Sequence, residues 1–258
     1  MNSGGRDHGQ PSGFRNVTHR GWTGVQCHGV SVPAGGDPTT SQNWWHMFAL
    51  RQLRHTYGGH EVLRFDDWSA AQGEHWLILG PSGSGKTTLL HILAGILTPS
   101  EGSVAIAGRD INKLTSFERD RFRGRHIGIV FQRLHLIASL TVLDNLLLAQ
   151  YLAGATQNLE GARGLLASLG LTDKAHSRPH ALSFGQSQRV AVARAVVNKP
   201  LLILADEPTS NLDDATAIAA LELLLLQARS CNATLVIATH DRRITARLEN
   251  RIELGAQS

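Results

Sequence analysis

Cysteine is scarce in this chain. Cys27 and Cys231 are far apart and fit neither a disulfide framework nor a zinc-ligand spacing, which points to a reducing compartment. Long apolar runs are missing too. The greasiest stretch, LELLLLQA from Leu221 to Ala228, carries Glu222 and falls short of the roughly 20 residues that a bilayer helix needs, so it reads as a buried helix. Nor is positive charge concentrated anywhere. The 25 basic and 21 acidic side chains are scattered rather than gathered into a stripe, and the net +4 predicts no nucleic-acid partner. A metal cage is not in view: His176 and His180 are four apart, but Pro179 between them spoils a helical ligand face.

What the chain does have is one shift of composition and then a regular alternation. Residues 1–46 are rich in Gly, Ser, Pro and Thr, carry neither hydrophobic period, and lack the apolar core of a signal peptide; they read as disordered or loosely attached. Met47 stands where an initiator could stand, so a start placed too far upstream and a genuine regulatory extension would each account for the tail. From there to residue 258 the pattern is strand-like and helix-like in turn. HWLIL is a strand, KTTLLHILAGIL has helical spacing, and HIGIVF is a second buried strand. A helical insertion follows, from about residue 133 to 185. Then come a helix from about Gly185, the strand LLILAD, a helix from about Asp213 and the strand TLVIATH. This order predicts an α/β fold with a mostly parallel sheet, whose ligands sit at the carboxyl ends of strands.

The chemistry-bearing residues fall at those ends. After HWLIL comes GPSGSGKTT, residues Gly80, Pro81, Ser82, Gly83, Ser84, Gly85, Lys86, Thr87 and Thr88, which satisfies G-x-x-x-x-G-K-[ST] between a strand and a helix. Its glycines let the backbone wrap a phosphate chain; Lys86 reaches the β- and γ-phosphates, and the Thr87 hydroxyl completes a Mg²⁺ shell. After LLILA stand Asp206 and Glu207, adjacent carboxylates that are costly without a cation. Asp206 suits a Mg²⁺ contact, and Glu207 suits polarising a water in line with the γ-phosphate. His240 follows a third strand, where it can sense the γ-phosphate. A second set of free backbone N–H groups lies at Ser183, Phe184, Gly185 and Gln186, just ahead of a helix. It is either decoration or a cradle for a different nucleotide.

Tyr57, Gly80–Thr88, Gln132 in IVFQ, LSFGQ at Leu182–Gln186, ILADEP, SNLD at Ser210–Asp213 and His240 together resemble the ordered motif set of an ATP-binding-cassette ATPase, over about Phe48 to Gly255. The resemblance implies a P-loop NTPase core, N-terminal antiparallel β strands and the inserted helical subdomain. It implies ATP and Mg²⁺ as ligands, and a head-to-tail dimer with two nucleotides at the interface. By resemblance Tyr57 stacks on adenine, and Gln132 touches the metal and the attacking water. Ser183, Gly185 and Gln186 close over the partner copy's γ-phosphate, and Ser210 with Asp213 links the two sites. Phe184 departs from the commonest signature, which has Gly there; Gly185 is kept, so the departure bears on affinity or rate.

Within the family, VFQRLHLIASLTVLDNLLL and the stretch from Arg178 to Asp213 look like the lipoprotein-releasing and macrolide-export type. That type implies a separate membrane permease and a place at the cytoplasmic side of the cell membrane. A cell-division-type cassette, which signals through a membrane partner without transport, shares the same chemistry and remains the alternative.

Overall fold

The computed structural model describes residues 25–28, 46–210 and 212–255, with side chains for all of these except 25–28. Most of the tract 1–46, the Cys27 side chain and Asn211 lie outside the described residues. Within that tract the backbone of Val25–His28 forms strand β1, which pairs antiparallel with the last strand.

The main sheet has six strands in the order β1–β11–β5–β10–β9–β8. Its centre comprises β5 (His75–Leu79), β8 (Ile127–Val130), β9 (Leu202–Asp206), β10 (Thr234–Thr239) and β11 (Asn250–Leu254), all paired in parallel. Such strands are covered on both faces, which is why they read as unbroken apolar runs. The expected strands and helices occur in the expected order, with two further strands and a helix, within residues 101–126, inserted between the P-loop helix and β8.

A second, antiparallel sheet is built from β2 (His46–Tyr57), β3 (His60–Phe65), β4 (Trp68–Ala71), β6 (Glu101–Ile106) and β7 (Arg109–Asp110). The expected N-terminal antiparallel strands are therefore joined by two that return from beyond the P-loop helix. Between the sheets lies a core of Phe48, Leu50, Leu53, Trp68, Trp76 and Ile78, together with Leu89 and Leu93 of α1 (Lys86–Leu93). Phe48 and Trp76 both meet Trp68 edge-on, with centroids 4.6 and 5.5 Å apart. Leu77, pointing the other way from its neighbours Trp76 and Ile78, joins the core on the opposite face with Ile203, Leu235, Ile237 and Leu221. Leu221 belongs to α6 (Asp214–Ser230).

Helix α2 (Ser116–His126) was not legible from hydrophobic period, because Phe122 is its one buried residue. Its signal was a capping box, Thr115 with Glu118, in which each side chain satisfies the other's backbone N–H. The helical insertion contains α3 (Val142–Leu152) and α4 (Leu159–Ser168), whose Val142, Leu146, Ala162 and Leu166 form a third cluster. Helix α5 (Phe184–Val196) bridges the layers: Val190 and Ala193 face that cluster, whereas Val192 and Val196 pack on the main sheet.

Close packing of α5 on β8 is made possible by Gly128. A Cβ there would lie 2.3 Å from the Ala195 carbonyl oxygen, a backbone atom that cannot move without the helix. Gly128→Ala is expected to destabilise the protein by about 1–3 kcal/mol through overpacking. Urea unfolding checks this, and a midpoint unchanged from the parent protein would show that α5 has room to retreat.

Candidate functional site

Parallel register places three strand ends side by side. Thr239 at the end of β10 pairs with Leu79 of β5, and its neighbour Ala238 pairs with Asp206 of β9. The residues that follow, Gly80, Glu207 and His240, therefore emerge at one edge of the sheet.

The loop Gly80–Gly85 is crowded at its two ends, while Gly83 at its middle is open. A Cβ on Gly80 would lie 2.5 Å from Ser84 Oγ and 2.6 Å from the Leu254 carbonyl oxygen. Gly85 has φ +88°, and a Cβ there would lie 2.9 Å from the Val62 carbonyl oxygen of β3. Both approaches demand glycine. Lys86 opens α1, where the first backbone N–H groups have no partner within the helix. Its ammonium is buried and donates to the carbonyls of Gly80 and Pro81, both at 2.9 Å, and lies 3.6 Å from Glu207 Oε1. Ser84 Oγ is buried without a hydrogen-bond partner.

The carboxylates differ in their surroundings. Asp206 Oδ2 accepts from the Thr87 hydroxyl at 2.9 Å, while its Oδ1 is buried and unpartnered. Burial pushes the Asp206 carboxyl above the usual range, against the Thr87 hydrogen bond, and the nearby Glu207 charge adds to the rise. A divalent cation beside Thr87 and Asp206 would satisfy Oδ1 and offset that cost, so these residues fit Mg²⁺. Glu207 is held at φ +46°. Its Oε1 lies 2.8 Å from Nδ1 of His240, and its Oε2 accepts from the Thr239 hydroxyl at 3.0 Å. The His240 side chain itself is mostly exposed.

Gln132, exposed just beyond β8, donates to Ser210 Oγ at 3.4 Å, and that hydroxyl donates to the Glu207 carbonyl at 2.9 Å. Two residues singled out separately thus form one chain leading to Glu207. Asp213 caps α6: its Oδ1 accepts from the Thr216 N–H at 3.0 Å and its Oδ2 from the Thr216 hydroxyl at 2.7 Å. Those bonds hold its carboxyl below the usual range.

Ser183 and Gln186 spend their side chains on each other in a capping box at the start of α5, with Ser183 N–H donating to Gln186 Oε1 at 2.9 Å. Gly185 has open space around it, and Phe184 is 56 % exposed. Tyr57, 48 % exposed, ends β2 opposite His60 in the hairpin whose second strand backs Gly85; its ring meets His55 edge-on at 4.6 Å. Hydrogen bonds and the Lys86–Glu207 pair thus join Gly80, Pro81, Lys86, Gln132, Glu207, Ser210 and His240, with Thr87 bonded to the neighbouring Asp206, whereas Tyr57, Asp213 and the signature set each bond elsewhere.

Two positions were missed. Gln188 is buried and donates to the Pro208 carbonyl at 2.8 Å, tying α5 to the segment after Glu207; a polar residue on the buried face of an amphipathic helix was the available signal. Arg243 joins the turn after β10 to the segment before α6, and nothing in its sequence context pointed to it.

The chain matches the family model described as ABC transporter over residues 63–210. It is 45 % identical over 192 residues to a lipoprotein-releasing system ATP-binding protein, LolD, of Xanthomonas campestris, which covers 73 % of this chain and 80 % of that protein. An uncharacterized ABC transporter ATP-binding protein of Mycobacterium tuberculosis is likewise 45 % identical, over 196 residues covering 75 % of this chain and 79 % of that one. Among solved structures, the cassette MJ0796, a dimer in a post-hydrolysis state bound to ADP and Pi, superposes with a TM-score of 0.72 at 36 % identity, covering 81 % of this chain and 94 % of that one. The chain belongs to the ABC transporter family and is one of its ATP-hydrolysing subunits.

Proposed function

We propose that two copies of this subunit close head to tail on two Mg²⁺·ATP and thereby drive a separate membrane permease of the lipoprotein-release or export type. The observation that carries the site assignment is a pair of orphaned buried oxygens, Ser84 Oγ in the loop after β5 and Asp206 Oδ1 at the end of β9, two strands that both pair with β10. Buried polar atoms are rarely left so unless a ligand completes them. ATP enters as Lys86 exchanges the Gly80 and Pro81 carbonyls for the β- and γ-phosphates, over the backbone N–H groups of residues 80–88, and Tyr57 takes the adenine. Thr87 and Asp206 would hold Mg²⁺, with Gln132 contributing. When bound, the ion neutralises charge across the β- and γ-phosphate oxygens.

Glu207 then accepts a proton from the attacking water, and His240, already hydrogen bonded to Glu207, orients that carboxylate and contacts the γ-phosphate. Ser183, Phe184, Gly185 and Gln186 present the positive end of α5 to the nucleotide held by the other copy, and Ser210 with Asp213 links the two sites. Support for a dimer comes from the MJ0796 dimer, from the exposure of Phe184 and from the open space beside Gly185. No helix among the described residues is long and apolar enough to cross a membrane. The permease is therefore assigned to another chain, with this subunit bound to it at the cytoplasmic face. The 45 % identity to LolD supports the lipoprotein-release type. Residues 47–258 carry the nucleotide motifs of the cassette, and residues 1–46, whose Val25–His28 adds an edge strand to the main sheet, are an extension not needed for hydrolysis.

Three outcomes follow from this arrangement. Glu207→Gln should bind ATP normally, lose about 10²–10⁴-fold in kcat and accumulate as a dimer with ATP and Mg²⁺, whereas Lys86→Ala should lose affinity. Turnover and mass measurements on the purified variants decide it, and near-normal turnover of Glu207→Gln would remove it as the principal base. With Cys27 and Cys231 replaced and Glu207→Gln present, Ser82→Cys and Ser183→Cys should crosslink between chains when ATP is added, since a disulfide needs Cα atoms within about 7 Å. A band at monomer mass containing an internal crosslink would instead mean that the signature serves its own loop.

The third concerns Asp206. Because its native carboxyl holds a proton to higher pH than the unfolded one does, its ionisation above that range opposes folding. Asp206→Asn should raise the melting temperature of nucleotide-free protein at pH 7. It should also abolish the further rise given by Mg²⁺ with ATP, a gain of about 2.7 kcal/mol in the parent at a hundredfold excess over Kd. Thermal melts with and without ligand check both signs.

A further inference from the structure

We propose that Arg243 is a positioning residue for hydrolysis: it locks the segment before α6 to the turn after β10 and so fixes Glu207 against His240. The inference rests on the roles given above to Glu207 and His240.

The guanidinium is a hub. Its Nε donates to Asp241 Oδ1 and its Nη2 to Asp241 Oδ2, both at 2.8 Å, making a two-pronged pair with a carboxylate on its own turn. Its Nη1 crosses to the other segment, donating to the Leu212 carbonyl at 3.0 Å and to Asp214 Oδ1 at 2.6 Å. Asp241 completes the bridge, because its Oδ2 also accepts from the Thr209 hydroxyl at 2.8 Å, and Thr209 is fully buried. The Asp241 N–H donates to Thr239 Oγ1 at 3.0 Å, and that hydroxyl donates to Glu207 Oε2 at 3.0 Å. An unbroken run of hydrogen bonds therefore leads from Arg243 to the Glu207 carboxylate.

The bridge meets a specific need. Glu207 is held in the left-handed region at φ +46°, a conformation that persists in a non-glycine residue only where its surroundings over-determine it. Its chain neighbours on one side are fixed by β9. On the other side Thr209, Leu212 and Asp214 are fixed through Asp241 and Arg243. A charge alone would not serve, since the two prongs to Asp241 and the third to Asp214 need a planar fork that lysine lacks. Asp241 is held down to about 2, chiefly by its hydrogen bond from Arg243 and against some desolvation, so the pair stays ionised across the working pH range.

The test uses the full-length protein with Arg243→Gln, Arg243→Lys and Asp214→Ala, and with Glu207→Gln as reference. The hydrogen bonds of the Arg243 guanidinium go to Asp241, Leu212, Asp214 and Thr209 rather than to residues 80–88, so the Kd for ATP should stay within about twofold while kcat falls roughly ten- to a hundredfold, the scale of loss when a reacting group is misplaced. Arg243→Lys should melt near the parent temperature yet recover little of kcat. Added to Glu207→Gln, Arg243→Gln should cause no further loss of residual turnover, because both act on one carboxylate. If Arg243→Gln folds poorly, Asp214→Ala, which removes a single prong, should still lower kcat severalfold with a melt near the parent's. Parent kcat in Arg243→Gln, equal losses in Kd and kcat, full rescue by lysine, or a fully multiplicative loss on top of Glu207→Gln would each overturn the proposal. Near-normal turnover of Glu207→Gln alone would overturn the role of Glu207 instead, and the comparison of Kd with kcat in Arg243→Gln would still be readable.

Discussion

Parallel pairing of β10 between β5 and β9 is the constraint on which the rest depends. Parallel strands end on the same edge, and the register here aligns Leu79, Asp206 and Thr239 to within one residue. A phosphate loop, a carboxylate pair and a histidine that are far apart in the chain thereby share one small volume. The pairing is maintained by apolar burial on both faces: Ile78, Leu204 and Val236 on one side, Leu77, Ile203 and Ile237 on the other. A slip of one residue would exchange these two sets and also separate Lys86 from Glu207.

Electrostatics at that edge are arranged around incomplete satisfaction. Lys86 neutralises part of the charge of Glu207 at 3.6 Å and borrows two backbone carbonyls, whereas Asp206 keeps one oxygen unpartnered and an elevated pKa. A nucleotide-free protein thus carries a standing cost at its active edge. Folding tolerates it because β9 and β10 beneath are buried throughout. This is the usual relation between a site's function and its stability.

The helical layer reaches the same edge by a different route. Helix α5 is held by the sheet through Gly128 and by the insertion through Val190 and Ala193, so its first turn is fixed relative to both. Gln188 adds a direct hydrogen bond to Pro208. Helix α5 thus joins the helical insertion to the residue immediately after Glu207.

Most of the α/β order and the P-loop, carboxylate and signature motifs were legible in the sequence, for reasons tied to local chemistry. Buried parallel strands must be apolar throughout, a phosphate loop must have glycine where a side chain would strike Ser84 Oγ or Val62, and adjacent acids at a strand end stand out from the apolar run before them. Helix α2 escaped notice because a solvent-exposed helix with Phe122 alone buried has no hydrophobic period to read. The return of β6 and β7 to the N-terminal sheet was equally hidden, since strand partners are chosen by long-range packing.

The sequence by itself therefore determined the glycine-rich loop, the placement of Lys86, Asp206, Glu207 and His240 at or just after strand ends, and the alternation that builds the sheet, because each is set by residues within one strand or one turn. Only the tertiary structure decided that Gln132 meets Ser210, that Asp213 caps its own helix, and that Arg243 spans Asp241, Leu212 and Asp214. Those contacts join segments dozens of residues apart in most cases, and a lone Gln, Ser or Arg carries no local sign of which loop the sheet will bring beside it.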